Sequence, residues 1–212
     1  SSWKNAMVAP DAALSAAEDE LQLAAARAYG EYERALRAYQ AVDFDDLIRL
    51  PVRLFESEAD VLLRWQGKLQ YLLVDEYQDT NRSQYRLMRL LAGARAAFTA
   101  VGDDDQAIYA WRGADVENLR ILQADYPQLK VVKLEQNYRS MQRILKAANA
   151  LIGNNEKLFE KRLWSEHGHG DAIQVNVARD NEQEAEQVVM KLMAHRFEHR
   201  GKRHTYRGFG VY

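Results

Sequence analysis

Short apolar runs that alternate with amphipathic stretches predict an α/β protein with a mainly parallel sheet. Two observations carry this expectation. Tyr71-Leu72-Leu73-Val74, Phe98 to Val101 and Val131-Val132-Lys133-Leu134 have the length and composition of strands. Between them lie helical periodicities bounded by capping residues and glycine stops.

Taken in order, residues 11 to 40 read as one long helix. Leu14, Leu21, Ala28 and Ala35 recur every seven residues, and Ala17, Ala25, Tyr32, Leu36 and Tyr39 broaden the stripe. Asp43 before Phe44, Leu47 and Ile48, with Asp46 three residues on, reads as an N-cap and an acidic first turn. Pro51 can sit in or kink the turn that follows, and Val61, Leu62 and Trp65 mark another short helix. The unbroken run at Tyr71–Val74 suits a strand buried on both faces. Asn81 or Ser83 can cap a helix through Tyr85, Leu87, Met88, Leu90 and Leu91, which Gly93 ends. Phe98–Val101 is a second strand, stopped by Gly102, and Asp115 starts a helix that ends before Pro127. After the third strand, Ser140 can cap a helix ended by Gly153-Asn154-Asn155. Ile173, Val175 and Val177 alternate as a half-exposed strand, and Ala185, Val188, Val189, Leu192 and Met193 mark a further helix. Tyr206–Tyr212 reads as a last strand, and both ends read as cuts within a longer chain.

The 212 residues are 47% hydrophobic, enough for a packed core. Cysteine is absent, so there is no disulfide framework and no thiolate metal site. No apolar run nears the ~18 residues of a membrane span, and the N-terminus carries no leader pattern; the expected setting is soluble and intracellular, with no membrane partner. With a net charge of −2, any nucleic-acid contact must come from a local face rather than from the average.

Three loops carry chemistry. The first strand runs into Asp75-Glu76-Tyr77-Gln78-Asp79-Thr80-Asn81. Two adjacent carboxylates at the carboxyl end of a buried strand suit nucleotide hydrolysis: Asp75 can hold Mg²⁺, and Glu76 can orient and deprotonate an attacking water. A bare Asp-Glu pair would more simply begin a surface turn. The second strand leads into Gly102-Asp103-Asp104-Asp105-Gln106, then Tyr109, Trp111 and Arg112. Three successive carboxylates need a cation, helix N-termini or solvent to offset their repulsion. Tyr109 and Trp111 can stack on bases of a single strand, although aromatics are more often core residues. The third run leads into Glu135-Gln136-Asn137-Tyr138-Arg139-Ser140, where Arg139 stands just before a helix. Alone, Arg139 reads as a surface or salt-bridge residue.

Together these strings closely resemble motifs II, III and IV of superfamily 1A DNA helicases, the Rep/UvrD/PcrA group. They fall in family order at family-like spacing. Ser2-Trp3-Lys4-Asn5, Asp43 to Leu47 and Ile144 to Asn149 extend the likeness, which is closest to the Rep branch. The resemblance implies a RecA-like P-loop NTPase motor using ATP and Mg²⁺. It implies a 3′–5′ single-stranded DNA translocase and helicase, acting on single-stranded and forked DNA in replication or repair. The setting would be cytoplasmic and nucleoid-associated. It makes Asp75 the Mg²⁺ ligand, Glu76 the catalytic base and Gln106 the sensor of the terminal phosphate. Tyr109 and Trp111 become the DNA platform, and Arg112 the tie between platform and acidic pair. Tyr138 would stack on adenine and Arg139 would act as an arginine finger. The implied layout is residues 1–55 as the end of the helical 1B subdomain, 56–135 as the second half of motor domain 1A, and 136–212 as the start of domain 2A. In that layout the family binds ATP between its motor domains, with a hinge at 134 to 140.

The chain also departs from the family. No Gly-x-x-x-x-Gly-Lys-Ser/Thr occurs; Gly67-Lys68 and Gly201-Lys202 are followed by Leu69 and Arg203. Without a phosphate cradle, this chain alone is expected neither to hydrolyse ATP at a useful rate nor to unwind DNA. Two other readings stay open: a non-catalytic module binding DNA or protein with an inherited fold, and a motor joined to a nuclease. His195 and His199 have a chelating spacing, but no third ligand is placed, and they read as exposed residues. His167 to Gly170 reads as a flexible loop, and the basic stretch after His195 as a solvated helix end.

Overall fold

A computed structural model describes residues 1–198, apart from the side chains of Arg112 and Glu198. The chain divides into two compact units: Ser1–Gln136 with Asn149–Leu163, and Asn137–Ala148 with the chain from Trp164 onward. The expected strand at the extreme C-terminus, and His199, lie outside the described residues.

The first unit opens with α1 (Ser2–Asn5), α2 (Pro10–Ser15) and α3 (Glu20–Ala38). The single helix expected over 11 to 40 is therefore broken. Asp19 leaves helical geometry and its side chain accepts the Gln22 N–H at 2.7 Å, starting a new helix instead of continuing the old one. The buried face also differs from the expected stripe: Ala26, Tyr29 and Glu33 point inward, while Leu21 is 80% exposed. Tyr29 stacks on Trp3 with centroids 5.5 Å apart, and Ala13 and Val8 complete this small core. A seven-residue repeat of small and apolar residues was misleading here because the helix packs a tyrosine and an ionised glutamate inward.

That glutamate belongs to a buried ion network. Lys4 Nζ lies 2.7 Å from Glu33, 2.7 Å from Asp43 and 2.9 Å from Asp46. Arg49 closes the network through Glu33 at 2.5 Å and Asp46 at 2.8 Å. Burial alone would lower the Lys4 pKa, but the hydrogen bonds it donates to Asp43, Glu33 and Asp46 outweigh it and hold the ammonium charged. Asp43 accepts the Asp46 N–H at 2.9 Å, but the N-cap position of the next helix is Asp45, whose side chain makes no cap bond, so the N-cap expected at Asp43 is not formed. That helix, α4 (Asp46–Ser57), contains Pro51 and buries Val52 and Phe55. Next, α5 (Ala59–Lys68) sets Trp65 against Phe55 at 6.4 Å.

Strands β1 (Leu72–Val74) and β2 (Phe98–Ala100) pair in parallel, Leu72 opposite Phe98 and Val74 opposite Ala100. Between them runs α6 (Arg82–Ala92), capped by a reciprocal pair of bonds between Asn81 and Gln84 and ended at Gly93. The α/β class and parallel pairing therefore stand, and β1–β2 is the one sheet among the described residues. Only one of its faces is covered. Tyr85 and Met88 from α6, and Leu122 from α7 (Glu117–Asp125), pack with Tyr77 against Leu72, Val74, Phe98 and Ala100. Leu73 is 77% exposed, which corrects the expectation of a strand buried on both faces.

Two expected strands are not formed. Val131–Leu134 and Ile173–Val177 make no ladder, and Leu134, Val175 and Val177 are each more than 80% exposed. A strand needs a neighbour for its backbone N–H and C=O groups, and apolar alternation supplies none. Helix α8 (Gln142–Ile152) begins two residues after Ser140, so Ser140 is not its cap. In the second unit, α9 (Asn181–Glu198) covers the expected late helix, with the Asp180 side chain accepting the Gln183 N–H at 2.8 Å. Among the described residues no helix is long and apolar enough to cross a membrane.

Candidate functional site

Because β1 and β2 are parallel and in register, their carboxyl ends open on the same edge. Val101 N donates to Val74 O at 2.8 Å, and Tyr77 N donates to Val101 O at 2.9 Å. The loop after β1 and the loop after β2 are thereby fastened together, as the ligand-binding edge of an open α/β sheet requires.

Between these bonds the chain bulges outward at Asp75 and Glu76, both exposed. Glu76 adopts φ 49°, ψ 44°, a left-handed conformation unusual for a non-glycine residue and costing about 1–3 kcal/mol. The 3₁₀ turn Tyr77–Asp79 that follows is anchored from inside. Tyr77 is buried and its hydroxyl donates to Asn118 O at 3.3 Å, while Asn118 Nδ2 donates to Thr80 O at 2.9 Å. A rigid turn thus carries a strained, exposed acid. Asp75 Oδ1 accepts the Glu76 N–H at 2.9 Å. Its remaining lone pairs face solvent, so this carboxylate suits a hydrated Mg²⁺ that needs few protein oxygens.

Glu76 is held by the amide of Gln78, which is only 1% exposed. Gln78 Nε2 donates to Glu76 Oε2 at 2.8 Å, and Gln78 Oε1 accepts the Asp103 N–H at 3.0 Å. Gly102 permits this seat: a Cβ there would stand 2.9 Å from Gln78 Oε1. The site expectations did not include Gln78. An amide two residues past the base was the available signal, but only the fold makes it buried and bonded.

The acid triad of the second loop is compensated by protein cations. Lys161 Nζ meets Asp103, Asp104 and Asp105, and Lys157 Nζ lies 3.1 Å from Asp105. Burial would raise the Asp103 and Asp104 carboxyls, but hydrogen bonds from Lys161 hold both below the usual carboxylate range. With its oxygens taken by ammonium groups, the triad is a poor seat for a metal. Gln106 is exposed, and its Nε2 donates to Asp103 Oδ2 at 2.6 Å. Tyr109 and Trp111 are exposed by 39% and 74%, with ring centroids 6.4 Å apart. The Arg112 side chain lies outside the described residues.

In the second unit Tyr138 and Arg139 are exposed. The N–H groups of Arg139 and Ser140 both donate to Asn137 Oδ1, at 3.0 and 2.8 Å. These amides are therefore spent on a local turn.

Residues 1–127 match the family model of the UvrD/REP helicase N-terminal domain, and residues 132–207 that of the UvrD-like helicase C-terminal domain. The ATP-dependent DNA helicase Rep of Escherichia coli strain K12 is 55% identical over 197 residues, which are 93% of this chain and 29% of that protein. Rep of Buchnera aphidicola subsp. Acyrthosiphon pisum is 44% identical across 99% of this chain and 32% of its own length. The ATP-dependent DNA helicase PcrA of Leuconostoc citreum is 45% identical across 91% of this chain and 26% of its own length. The chain thus spans under a third of the length of these curated relatives. On the strength of both domain matches and these identities, the chain belongs to the UvrD/Rep helicase family.

Proposed function

We propose that this chain is part of the motor of an ATP-dependent 3′–5′ single-stranded DNA translocase and helicase, acting on single-stranded or forked DNA in replication or repair. The observation that carries the reading is the exposed Asp75–Glu76 pair, held at the carboxyl end of a parallel strand with Glu76 in a strained backbone conformation. Relatives bearing the name ATP-dependent DNA helicase support it. In this reading residues 1–55 end a helical 1B subdomain, 56–135 form the second half of a RecA-like P-loop motor domain 1A, and 136–212 begin domain 2A. The whole protein would work in the cytoplasm, at the nucleoid.

Glu76 is the base that orients and deprotonates the attacking water. Asp75 holds Mg²⁺, which when bound supplies charge neutralisation on the phosphate oxygens. Gln106 reads the terminal phosphate, Tyr138 stacks on the adenine, and Arg139 neutralises charge that develops during transfer. Tyr109 and Trp111 stack on unpaired bases, at about 1–3 kcal/mol per base; Arg112 ties them to the acidic pair. Lacking a P-loop sequence, residues 1–212 by themselves neither hydrolyse ATP at a useful rate nor unwind DNA.

The test is ATP hydrolysis by the full-length protein, with and without single-stranded DNA, beside a Glu76→Gln variant. Strong DNA stimulation that disappears in the variant is the expected result. No hydrolysis under any DNA condition by well-folded full-length protein would replace the motor with a binding module that kept the motifs for shape.

A further inference from the structure

We propose that Gln78 is a positioning residue: its buried amide fixes the Glu76 carboxylate to the backbone of the loop after β2. The inference rests on Glu76 being the hydrolytic base, as proposed above.

A buried amide must satisfy its polar atoms, and Gln78 does so with one partner from each loop. The orientation of the amide is set by those partners. The Asp103 N–H can only donate and the Glu76 carboxylate can only accept, so Oε1 must face Asp103 and Nε2 must face Glu76. The connection continues outward. Asp103, whose N–H holds Gln78, accepts from Gln106 Nε2 through its own carboxylate at 2.6 Å. An unbroken run of hydrogen bonds therefore joins Glu76, Gln78, Asp103 and Gln106, from the proposed base to the proposed phosphate sensor. A base on an exposed, strained residue would otherwise sample several rotamers, and misplacement by an ångström is enough to lose about a hundredfold in rate.

Gln78→Glu separates positioning from packing. It keeps the volume and the acceptor for Asp103 N–H, but replaces the donor with an oxygen that repels Glu76. In full-length protein at saturating single-stranded DNA, kcat for ATP hydrolysis should fall about ten- to a hundredfold while KM for ATP stays within about twofold. In a Glu76→Gln background the same substitution should cost less than about twofold in single-turnover hydrolysis, because nothing is left to position. Gly102→Ala, whose Cβ would crowd Gln78 Oε1, the Gln78 backbone N and Tyr77 Cβ while leaving the Gln78 side chain chemically intact, should reproduce the kcat loss and the same dependence on Glu76, and it carries the test if Gln78→Glu fails to fold. Unchanged kcat in the folded variants overturns the inference. So does a loss that simply multiplies with that of Glu76→Gln. If Glu76→Gln itself hydrolyses ATP like the wild type, the assignment of the base falls, and the role of Gln78 falls with it.

Discussion

Asp103, Asp104 and Asp105 are surrounded by the ammonium groups of Lys157 and Lys161, whereas Asp75 and Glu76, on the adjoining strand end, form no ion pair among the described residues. Both groups are runs of acids after a parallel strand, and composition does not tell them apart. The triad is partly buried and its repulsion is cancelled within the protein, which makes it structure. The pair is exposed, carried on a strained backbone and steadied by a neutral amide, which keeps its charge available for chemistry. Among the described residues, lysines are paired with the triad, where a loop must be shaped, and none is paired with Asp75 or Glu76.

The largest effect should come from neutralising the open pair. Glu76→Gln in the full-length protein is expected to cut DNA-stimulated ATP hydrolysis by about 10²–10⁴-fold. The thermal midpoint should hardly move, since Glu76 is exposed and is held by a neutral amide. A midpoint that drops by many degrees would mean that the pair is structural after all, and the contrast between the two acid groups would collapse.

Lys161→Met should behave in the opposite way. It leaves three partly buried carboxylates with Lys157 alone, and removing one partner of a buried ion pair costs about 3–5 kcal/mol. Lys161 keeps 20% side-chain exposure, so the lower end of that range is expected. Chemical denaturation of wild type and variant measures it. A loss below about 1 kcal/mol would make the triad a solvated surface feature.

The pH response sharpens the same contrast. Asp103 and Asp104 have lowered folded pKa values, so their stabilisation is complete above the unfolded value, near 3.9, and is lost as pH falls through the folded values. Lys161 is raised, so its contribution is complete below its unfolded value, near 10.4, and disappears only as pH climbs through the folded one. A plateau between those limits is expected from this cluster. In Lys161→Met the acid-side loss should begin at higher pH, because burial then raises the carboxyls against fewer lowering hydrogen bonds. Thermal midpoints across pH 3 to 7 (about the range in which carboxyls titrate), compared between the two proteins, check this. Parallel curves would contradict it.

Much of this was legible in the residue order, for identifiable reasons. The cap at Asn81 and the stop at Gly93 follow from local chemistry, which acts within a few residues, and the two paired strands announce themselves as short apolar runs. The break at Asp19 is a local cap that the seven-residue stripe hid, whereas the missing ladders at 131–134 and 173–177 were not legible, because a ladder depends on what lies beside the segment rather than within it. In the candidate site the acidic pair, the triad and Gln106 could be named from their strings. Their different treatment could not, since Lys157 and Lys161 arrive from more than fifty residues downstream. Likewise the strings around Lys4 and Asp43 each looked familial on their own. Only the fold joins them, through a lysine 2% exposed.

The smallest expected effect tests whether burial, rather than charge pairing itself, separates structural from available acids. Arg86 and Glu56 also form an ion pair, between α6 and α4, but their side chains are 55% and 31% exposed. In water the Coulomb gain of such a pair is nearly offset by the entropy of holding two long side chains, leaving about 0–1 kcal/mol. Arg86→Ala should therefore cost less than about 1 kcal/mol in chemical denaturation, and raising salt should change wild type and variant almost equally. The triad and the exposed pair would then span the range from structure to decoration with the same chemistry, so that burial alone orders them. If Arg86→Ala instead cost as much as Lys161→Met, pairing would matter irrespective of burial. The absence of an ion pair at Asp75 and Glu76 among the described residues would then be the distinguishing property of the open site, and their exposure would be incidental.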